Sequence, residues 1–569
     1  MTAREVAAIF QEIGVLLELK GENPFKSRAY TAAARTLESL DRDLGELVAE
    51  GGLGKLPGIG AALEEKIAIL VRTGRLPYYE ELRASVPPGL LDLLRVPGLG
   101  PRRARALNEA LGIDSLEGLA RACREGKVAC LSGFGERTQQ SILEGIDRLG
   151  RHAGLSLFPA ALQVARTLCE RLEETRGVKT VEVAGSLRRF KEVVKDIDLV
   201  AASERPAEVI RAFTAFPEVE RVSAGGDTRA SVLTRAGMAA DLRVVRPAEL
   251  PFALCYFTGS AEHNTALRRR ANQRGLKLNE YGLFRGDTRL RCAGEAAMYR
   301  ALGLAFIPPE LRENLGEVEA AAAGPLPRLV TEKDIRGLLH VHTRWSDGED
   351  TLEGMARAGA ALGVRYLGIA DHSQAARYAG GLGASELARQ ATELAAVNRK
   401  KLACRLLHGS EADILPDGRV DVPEASRLDF VVASVHSGFK MRGEEMTRRV
   451  LRALADPRVS VLGHPTGRLL LKREAYSIDL EPVFREAARR GVAIEINAHP
   501  ERLDLDWRHL RRARELGVRF VIGPDSHRAQ DLTDFRYGVA VARKGWLGPA
   551  DLLNTLSTRD LAARLRRAG

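Results

Sequence analysis

The chain has 569 residues, of which 45% are hydrophobic, and a formal net charge of +11. That length suggests roughly three to five domains, and the apolar content excludes a disordered chain. The six cysteines are scattered without a Cys-x-x-Cys pair, which excludes a disulfide framework and fits reduced thiols in a cytosolic protein. The first residues carry acids early and no long apolar run, so neither a signal peptide nor a membrane span is expected. The excess of 86 Lys and Arg over 75 Asp and Glu points to a polyanionic partner.

Residues 1–80 are predicted to be helical, because Val6, Ile9, Phe10, Ile13, Leu16 and Leu17 recur at helical spacing. A Pro-Gly-x-Gly turn with Gly58 and Gly60, preceded by Lys55, leads into the helical stretch ALEEKIAIL. A near copy follows with Gly98 and Gly100 before PRRARALNEALG, and a weaker third copy holds Gly133 and Gly135. Each reads as helix, tight hairpin, helix. The glycines let backbone N–H groups approach a phosphate, and the next helix start adds a positive dipole. Such hairpins resemble helix-hairpin-helix motifs, which grip the DNA backbone without reading sequence.

From residue 150 the pattern alternates between helix and strand, with helices expected at 158–175 and 206–215. Asp196-Ile197-Asp198-Leu199-Val200 reads as a strand, so Asp196 and Asp198 project to one face. Two carboxylates on one face repel unless a cation lies between them, which suits a divalent metal held through oxygen. Alone, the pair reads better as a merely solvated strand end. A further expected strand, Met238–Val245, contributes Asp241 as a third carboxylate, and Gly185-Ser186 upstream offers a tight turn, a hydroxyl and free N–H groups for phosphate. Three carboxylates on a mixed sheet are suited to hold two metals for nucleotidyl transfer. Tyr256, Phe257 and Gly259 are suited to lie along a sugar, and Asn264 and Arg268 to meet a base pair from the minor groove.

On these motifs, residues 1–316 resemble a family X DNA polymerase, the group of polymerase β. The resemblance implies that Asp196, Asp198 and Asp241 are catalytic metal ligands for Mg²⁺ or Mn²⁺. It implies that Ser186 and Arg189 bind the incoming triphosphate, that Tyr256, Phe257 and Gly259 line its sugar, and that Asn264 and Arg268 contact the nascent pair. Lys26, Tyr30 and Lys55 match residues around a 5′-phosphate pocket, and Lys66 matches the Schiff-base lysine of a deoxyribose-phosphate lyase. Three positions depart from the family pattern: Lys195 stands where Gly is usual, Ala239 where Arg is frequent, and Ala62 where a phosphate-binding Lys is common. The last weakens the expected pocket and with it the lyase assignment.

Residues 317–334 combine Ala, Gly and Pro without apolar period and read as an interdomain linker. Beyond it lie nine of the eleven histidines. His340 and His342 share a strand at i, i+2, and Asp347 follows in a turn. His372, Glu411, His436, His464, Asp525 and His527 each close an apolar strand-like run, with helical stretches between. Ligand-type residues at the C-terminal ends of successive strands are the pattern of a β/α barrel, and imidazole with carboxylate suits Zn²⁺, Mn²⁺ or Fe²⁺. This half resembles the polymerase-and-histidinol-phosphatase (PHP) domain. The resemblance implies a distorted seven-stranded barrel with up to three Zn²⁺ or Mn²⁺ ions. In it Glu411 bridges two metals, one also held by His340, His342 and Asp525, the other by His436 and His464, while Asp347, His372 and His527 hold the third. His408, His499, His509 and Asp371 are expected to be structural or to support the ligands.

The expected fold is therefore multidomain, α+β and α/β. It has an 8-kDa-like helical domain at 1–80, a fingers-like helical domain at 81–150 and a palm at 151–250. A thumb at 251–316, the linker at 317–334 and the PHP domain at 335–569 follow. The implied function is a DNA-directed DNA polymerase filling short gaps in base excision repair or end joining. A metal-dependent 3′-5′ exonuclease accompanies it, with abasic-site endonuclease or 3′-phosphatase as further candidate activities. The expected partners are gapped, nicked or primer-template DNA and dNTPs, with no membrane, for a monomer in the cytoplasm at the nucleoid. Two readings compete: an untemplated nucleotidyltransferase, and a DNA-end-binding scaffold with a weak polymerase and an active PHP nuclease.

Overall fold

The computed structural model describes residues 1–38, 40, 43–423 and 427–566, in two compact units, Met1–Ala153 and Gly154–Gly569. Among the described residues no helix is long and apolar enough to cross a membrane.

In the first unit, helix Ala3–Leu19 starts at Thr2, whose side chain and that of Glu5 cap each other's backbone N–H groups. Its face Val6, Phe10, Ile13, Leu16 and Leu17 is buried, as the spacing requires. One apolar core runs from Val6 to Ile142. The boundary expected at residue 80 is therefore no break in packing: helix Pro77–Ala84 crosses it, and Leu76, Leu82 and Val86 join the core of Phe10 and Leu107. A short helix placed across a supposed boundary buries its apolar side wherever a neighbour offers one.

In the second unit, the palm is a five-stranded sheet in the order Val178–Val183, Asp196–Ser203, Ala239–Val245, Arg229–Thr234, Val219–Gly225. The Asp196–Ser203 and Ala239–Val245 strands are parallel, and the other pairs are antiparallel. Ile197, Leu199 and Ala201 face helices Phe158–Glu173 and Pro206–Thr214 in one core, leaving the alternate residues on the opposite face. The thumb core gathers Phe252, Leu267, Tyr299 and Leu311, and also Trp546 from the far end of the chain.

Residues 317–334, expected to be a linker, are packed. They carry a helix, Glu317–Ala323, whose Val318 and Ala321 belong to the thumb core. Glu317 is fully buried, accepts from the backbone N–H groups of Asn314 and Leu315, and lies 2.6 Å from His263 Nδ1. Composition hides this because an Ala-rich helix needs only a few apolar contacts when a buried carboxylate, hydrogen-bonded to a histidine and two backbone N–H groups, anchors its first turn.

The last domain is a barrel of seven parallel strands in sequence order, from Gly337–Val341 to Phe520–Gly523. A parallel bridge between Val341 and Ser526 brings the first and last strands together. The strands are buried on both sides, which accounts for their unbroken apolar runs.

Candidate active sites

Asp198 and Asp241 stand opposite each other in register on the parallel strands, and Asp196 shares their face two residues away. Burial, then Asp196 and Asp241, push the Asp198 carboxyl up to about 6, while Arg189 pulls it down. Gly185 faces this carboxylate: its φ is +61°, and a Cβ there would lie 1.8 Å from Asp198 Oδ2. Only glycine tolerates both the left-handed conformation and that approach. The cradle and the mutually repelling carboxylates fit a divalent cation. Among the described residues, though, sets of three or more metal-capable groups with ligand atoms within 4.8 Å occur only in the barrel. In the palm the Ser231 hydroxyl donates to Asp241 from the next strand, a contact the sequence reading missed because Ser231 sits on an unanticipated strand.

Ser186 lies in the short helix Gly185–Arg188, which opens beside these carboxylates. Arg189 follows it, donating to the Thr258 carbonyl and, through Nε, to Glu313 at 3.2 Å. Tyr256 and Phe257 lie in the last turn of helix Leu250–Thr258. Tyr256 is exposed, and Asn264 and Arg268 line one small cavity with it; Asn264 Nδ2 donates to the Tyr256 carbonyl at 2.7 Å. Lys195 and Ala239 are exposed.

In the first unit the three hairpins share one geometry. Gly58, Gly98 and Gly133 have φ of +76°, +83° and +82°, and Gly60, Gly100 and Gly135 begin helices with no side-chain cap. The third copy, weak in sequence, is thus equivalent in shape. Lys26 and Lys66 lie 5.5 and 5.3 Å from the centre of the Tyr78 ring, on which Tyr30 stacks. Lys55 is exposed.

All nine barrel residues singled out in the sequence converge. Glu411 is at the centre, with carboxylate oxygens 2.9 Å from His464 Nε2, 3.0 Å from His372 Nδ1 and 3.3 Å from both His340 Nε2 and His436 Nε2. The ligand atoms group as His342, Asp347, His372 and His527; His340, His342 and Asp525; and His372, Glu411 and His436. These groups overlap at His342 and His372, where the expected partition shared Glu411 alone. His342 joins two groups, and His372 sits between Asp347 and Glu411, while His464 reaches the cluster through Glu411.

The fit to metal ions rests on unsatisfied chemistry. His340 Nε2 and both ring nitrogens of His342 are buried without a hydrogen bond. Burial, reinforced by His527, holds His342 down at about 3, so its imidazole is neutral and ligand-ready. Against the cost of burial, Glu411 and Asp347 lift His372 to about 10, a charge that a metal ion replaces.

Outer partners aim these rings. Glu495 lies 2.6 Å from His340 Nδ1 and Asp413 lies 2.6 Å from His436 Nδ1, leaving each Nε2 to face the cluster. Asn497 Nδ2 donates to Asp525, and Arg502 Nε lies 3.2 Å from the same carboxylate. Asp371 accepts from Thr343, Ser346 and Gln390 and so fixes the turn that carries Asp347; His408 contacts Gln390 in turn. His340, His464 and Asp525 have φ of +69°, +22° and +52°, a concentration of strained backbone that needs a functional reason. Glu495, Asp413 and Arg502 had no assigned role in the sequence reading. Glu495 sits in mid-strand within Ala493–Asn497, and a carboxylate inside a fully buried apolar run was the available signal.

A carboxylate-bearing palm beside a seven-stranded barrel with a histidine-rich centre defines a two-site, metal-handling enzyme class. Family models match at residues 1–76 (helix-hairpin-helix domain), 90–148 (SAM-like helix-hairpin-helix tandem), 253–313 (DNA polymerase beta thumb) and 339–499 (PHP domain). The DNA polymerase/3′-5′ exonuclease PolX of Bacillus subtilis (strain 168) is 37% identical over 573 residues, covering 100% of both chains. The chain therefore belongs to the PolX family of DNA polymerase/3′-5′ exonucleases. A probable phosphatase of Thermoanaerobacter sp. (strain X514) is 28% identical over 162 residues, 26% of this chain and 64% of that protein. A ternary-complex structure of Leishmania infantum polymerase beta is 20% identical over 40% of this chain and 98% of that one, with a TM-score of 0.27, and carries no weight here.

Proposed function

We propose that this protein is a template-directed DNA polymerase with a separate 3′-5′ exonuclease in its barrel, acting on short gaps during DNA repair. The observation that carries the reading is the placement of Asp196, Asp198 and Asp241 on one face against the Gly185 turn, apart from the nine-residue cluster. The relative's name supplies the pair of activities.

At the palm, the three carboxylates form an all-oxygen site suited to Mg²⁺ or Mn²⁺; the mixed imidazole and carboxylate barrel suits Zn²⁺ or Mn²⁺. When bound, such ions lower the cost of deprotonating the attacking hydroxyl or water and offset charge on the leaving group. Arg189 and the Ser186 turn hold the triphosphate, Tyr256, Phe257 and Gly259 pack on its sugar, and Asn264 and Arg268 test the nascent pair. In the barrel, Arg502 faces the phosphodiester from the Asp525 side and orients it against the cluster. The three hairpins hold the duplex by its backbone, giving sequence-independent grip on gapped, nicked or primer-template DNA. Abasic-site cleavage and 3′-phosphate removal need the same barrel chemistry, water displacing a DNA 3′-oxygen from phosphorus, and differ only in what else the phosphorus carries. Work on chromosomal DNA would place the protein in the cytoplasm at the nucleoid, as a monomer.

The test uses single-nucleotide-gapped DNA with Mg²⁺ or Mn²⁺. Asp198→Ala should abolish gap filling and leave exonuclease intact, and His342→Ala should do the reverse. Normal extension by Asp198→Ala would remove the assignment of the palm.

A further inference from the structure

A buried ionic contact joins the barrel to the palm at a point that supplies no metal ligand to either. Helix Phe535–Lys544 lies outside the barrel and ends in Lys544, whose side chain is fully buried. Its ammonium donates to Glu313 Oε1 at 2.6 Å, to the Arg189 carbonyl at 2.8 Å and to the Glu310 carbonyl at 3.2 Å. These three acceptors use all three of its protons. Glu313 Oε1 also accepts from Arg189 Nε at 3.2 Å, and its other oxygen lies 3.1 Å from Lys191 Nζ. The Arg189 guanidinium continues to the Thr258 carbonyl and lies against Gly259, where a Cβ would stand 3.1 Å from Nη1. A continuous polar chain thus runs Lys544, Glu313, Arg189, Thr258.

Burying a lysine is costly, and an apolar side chain would seat a barrel helix on the palm as well. What the ammonium adds is control of Arg189 at both ends. It grips the Arg189 carbonyl directly and fixes the carboxylate that holds its guanidinium. Arg189 is the cation whose field reaches Asp198, so its direction bears on any anionic substrate at the carboxylates. The domain contact itself does not depend on Lys544: Arg508 reaches Glu192 at 3.1 Å, Lys191 lies over the Trp507 ring, and Phe158 packs edge-on to Tyr537.

We propose that Lys544 is a positioning residue for the polymerase, through which the barrel sets Arg189 for the nucleotide triphosphate. This rests on the reading of the palm as a nucleotidyl-transfer site. The barrel is then part of the polymerase's nucleotide-binding apparatus and not only an attached nuclease.

The test is Lys544→Met in the full-length protein on gapped DNA with Mg²⁺ and a single dNTP. Expected are a rise of about tenfold in nucleotide KM, gapped-DNA affinity within about twofold of wild type, and unchanged exonuclease. Glu313→Gln, on the thumb side of the contact, should raise KM similarly. The double variant should be no worse than the worse single one, because both act through Arg189. A wild-type nucleotide KM in both variants would overturn the proposal. So would a parallel fall of both activities together with Tm, which marks a packing role alone. A wild-type protein that fills no gap would instead remove the polymerase reading itself, and this inference with it.

Discussion

Asp198 and Asp241 face each other across adjacent parallel strands, and Gly185 closes over Asp198 so tightly that no side chain fits between them. Without a cation the pair is an unfavourable arrangement, which pH and the Gly185 position both probe.

The first concerns pH. In the metal-free protein Asp198 is held at about 6, above the ordinary carboxylate range, mainly by burial and then by Asp196 and Asp241. Between about pH 4 and pH 6 the folded form keeps a proton that the unfolded form has lost, so stability falls as pH rises, by about 3 kcal/mol in all. Asp198→Asn should therefore raise Tm in chelator at pH 8 and converge with wild type at pH 4. Equal Tm differences at both pH values would contradict this.

The second concerns the cradle. Gly185→Ala places a Cβ on Asp198 and also strains φ. Gap filling should drop about 100-fold or more, while the exonuclease stays near wild type. A parallel primer-extension and exonuclease assay on one DNA decides it.

The third concerns the barrel's outer partners. Asp413 orients His436 without facing the cluster itself. Asp413→Asn should weaken metal retention about 10- to 100-fold, read as the chelator concentration that halves exonuclease activity, with gap filling unaffected. Retention equal to wild type would show that Asp413 is only structural.

The fourth concerns the thumb. His263 and Glu317 are both fully buried and paired. Glu317→Ala should cost about 3–5 kcal/mol, because it leaves His263 Nδ1 and two backbone N–H groups without an acceptor. Denaturant unfolding measures it, and a cost below 1 kcal/mol would return residues 317–334 to the status of a loose tether.

The fifth concerns the hairpins. Gly58→Ala with Gly98→Ala forces a side chain onto left-handed backbone in two of three repeats. Binding to gapped DNA should weaken about tenfold regardless of sequence, with a shallower dependence on salt. Anisotropy titrations at three salt concentrations on two unrelated sequences would show whether the loss is uniform.

Much of the site was legible in the sequence because its chemistry is local. Asp196-x-Asp198 shares a face by strand geometry, and Gly-x-Gly turns repeat before three helices. Histidines and acids closing successive apolar runs declare a barrel rim. What remained hidden depends on distant partners. Ser231 reaches Asp241 only because an unanticipated strand pairs there, and the shared role of His342 and His372 comes from how the rings turn in space. The backbone at His340 also departs from regular pleating, with a register shift between Leu338 and Val341, so i, i+2 spacing alone does not fix where its ring points.

The sequence by itself determined which metal-capable side chains are present at the strand ends of the barrel and the repeat of the hairpins, since these follow from residue type and short-range spacing. Only the tertiary structure decided that residues 317–323 are a packed helix, that one helical core spans residue 80, and that Lys544 is bound to Arg189 and Glu313. Those outcomes depend on which surfaces bury one another far apart in the chain, 54 residues for His263 and Glu317 and 231 for Glu313 and Lys544, and such buried polar pairs leave no periodic mark in a linear sequence.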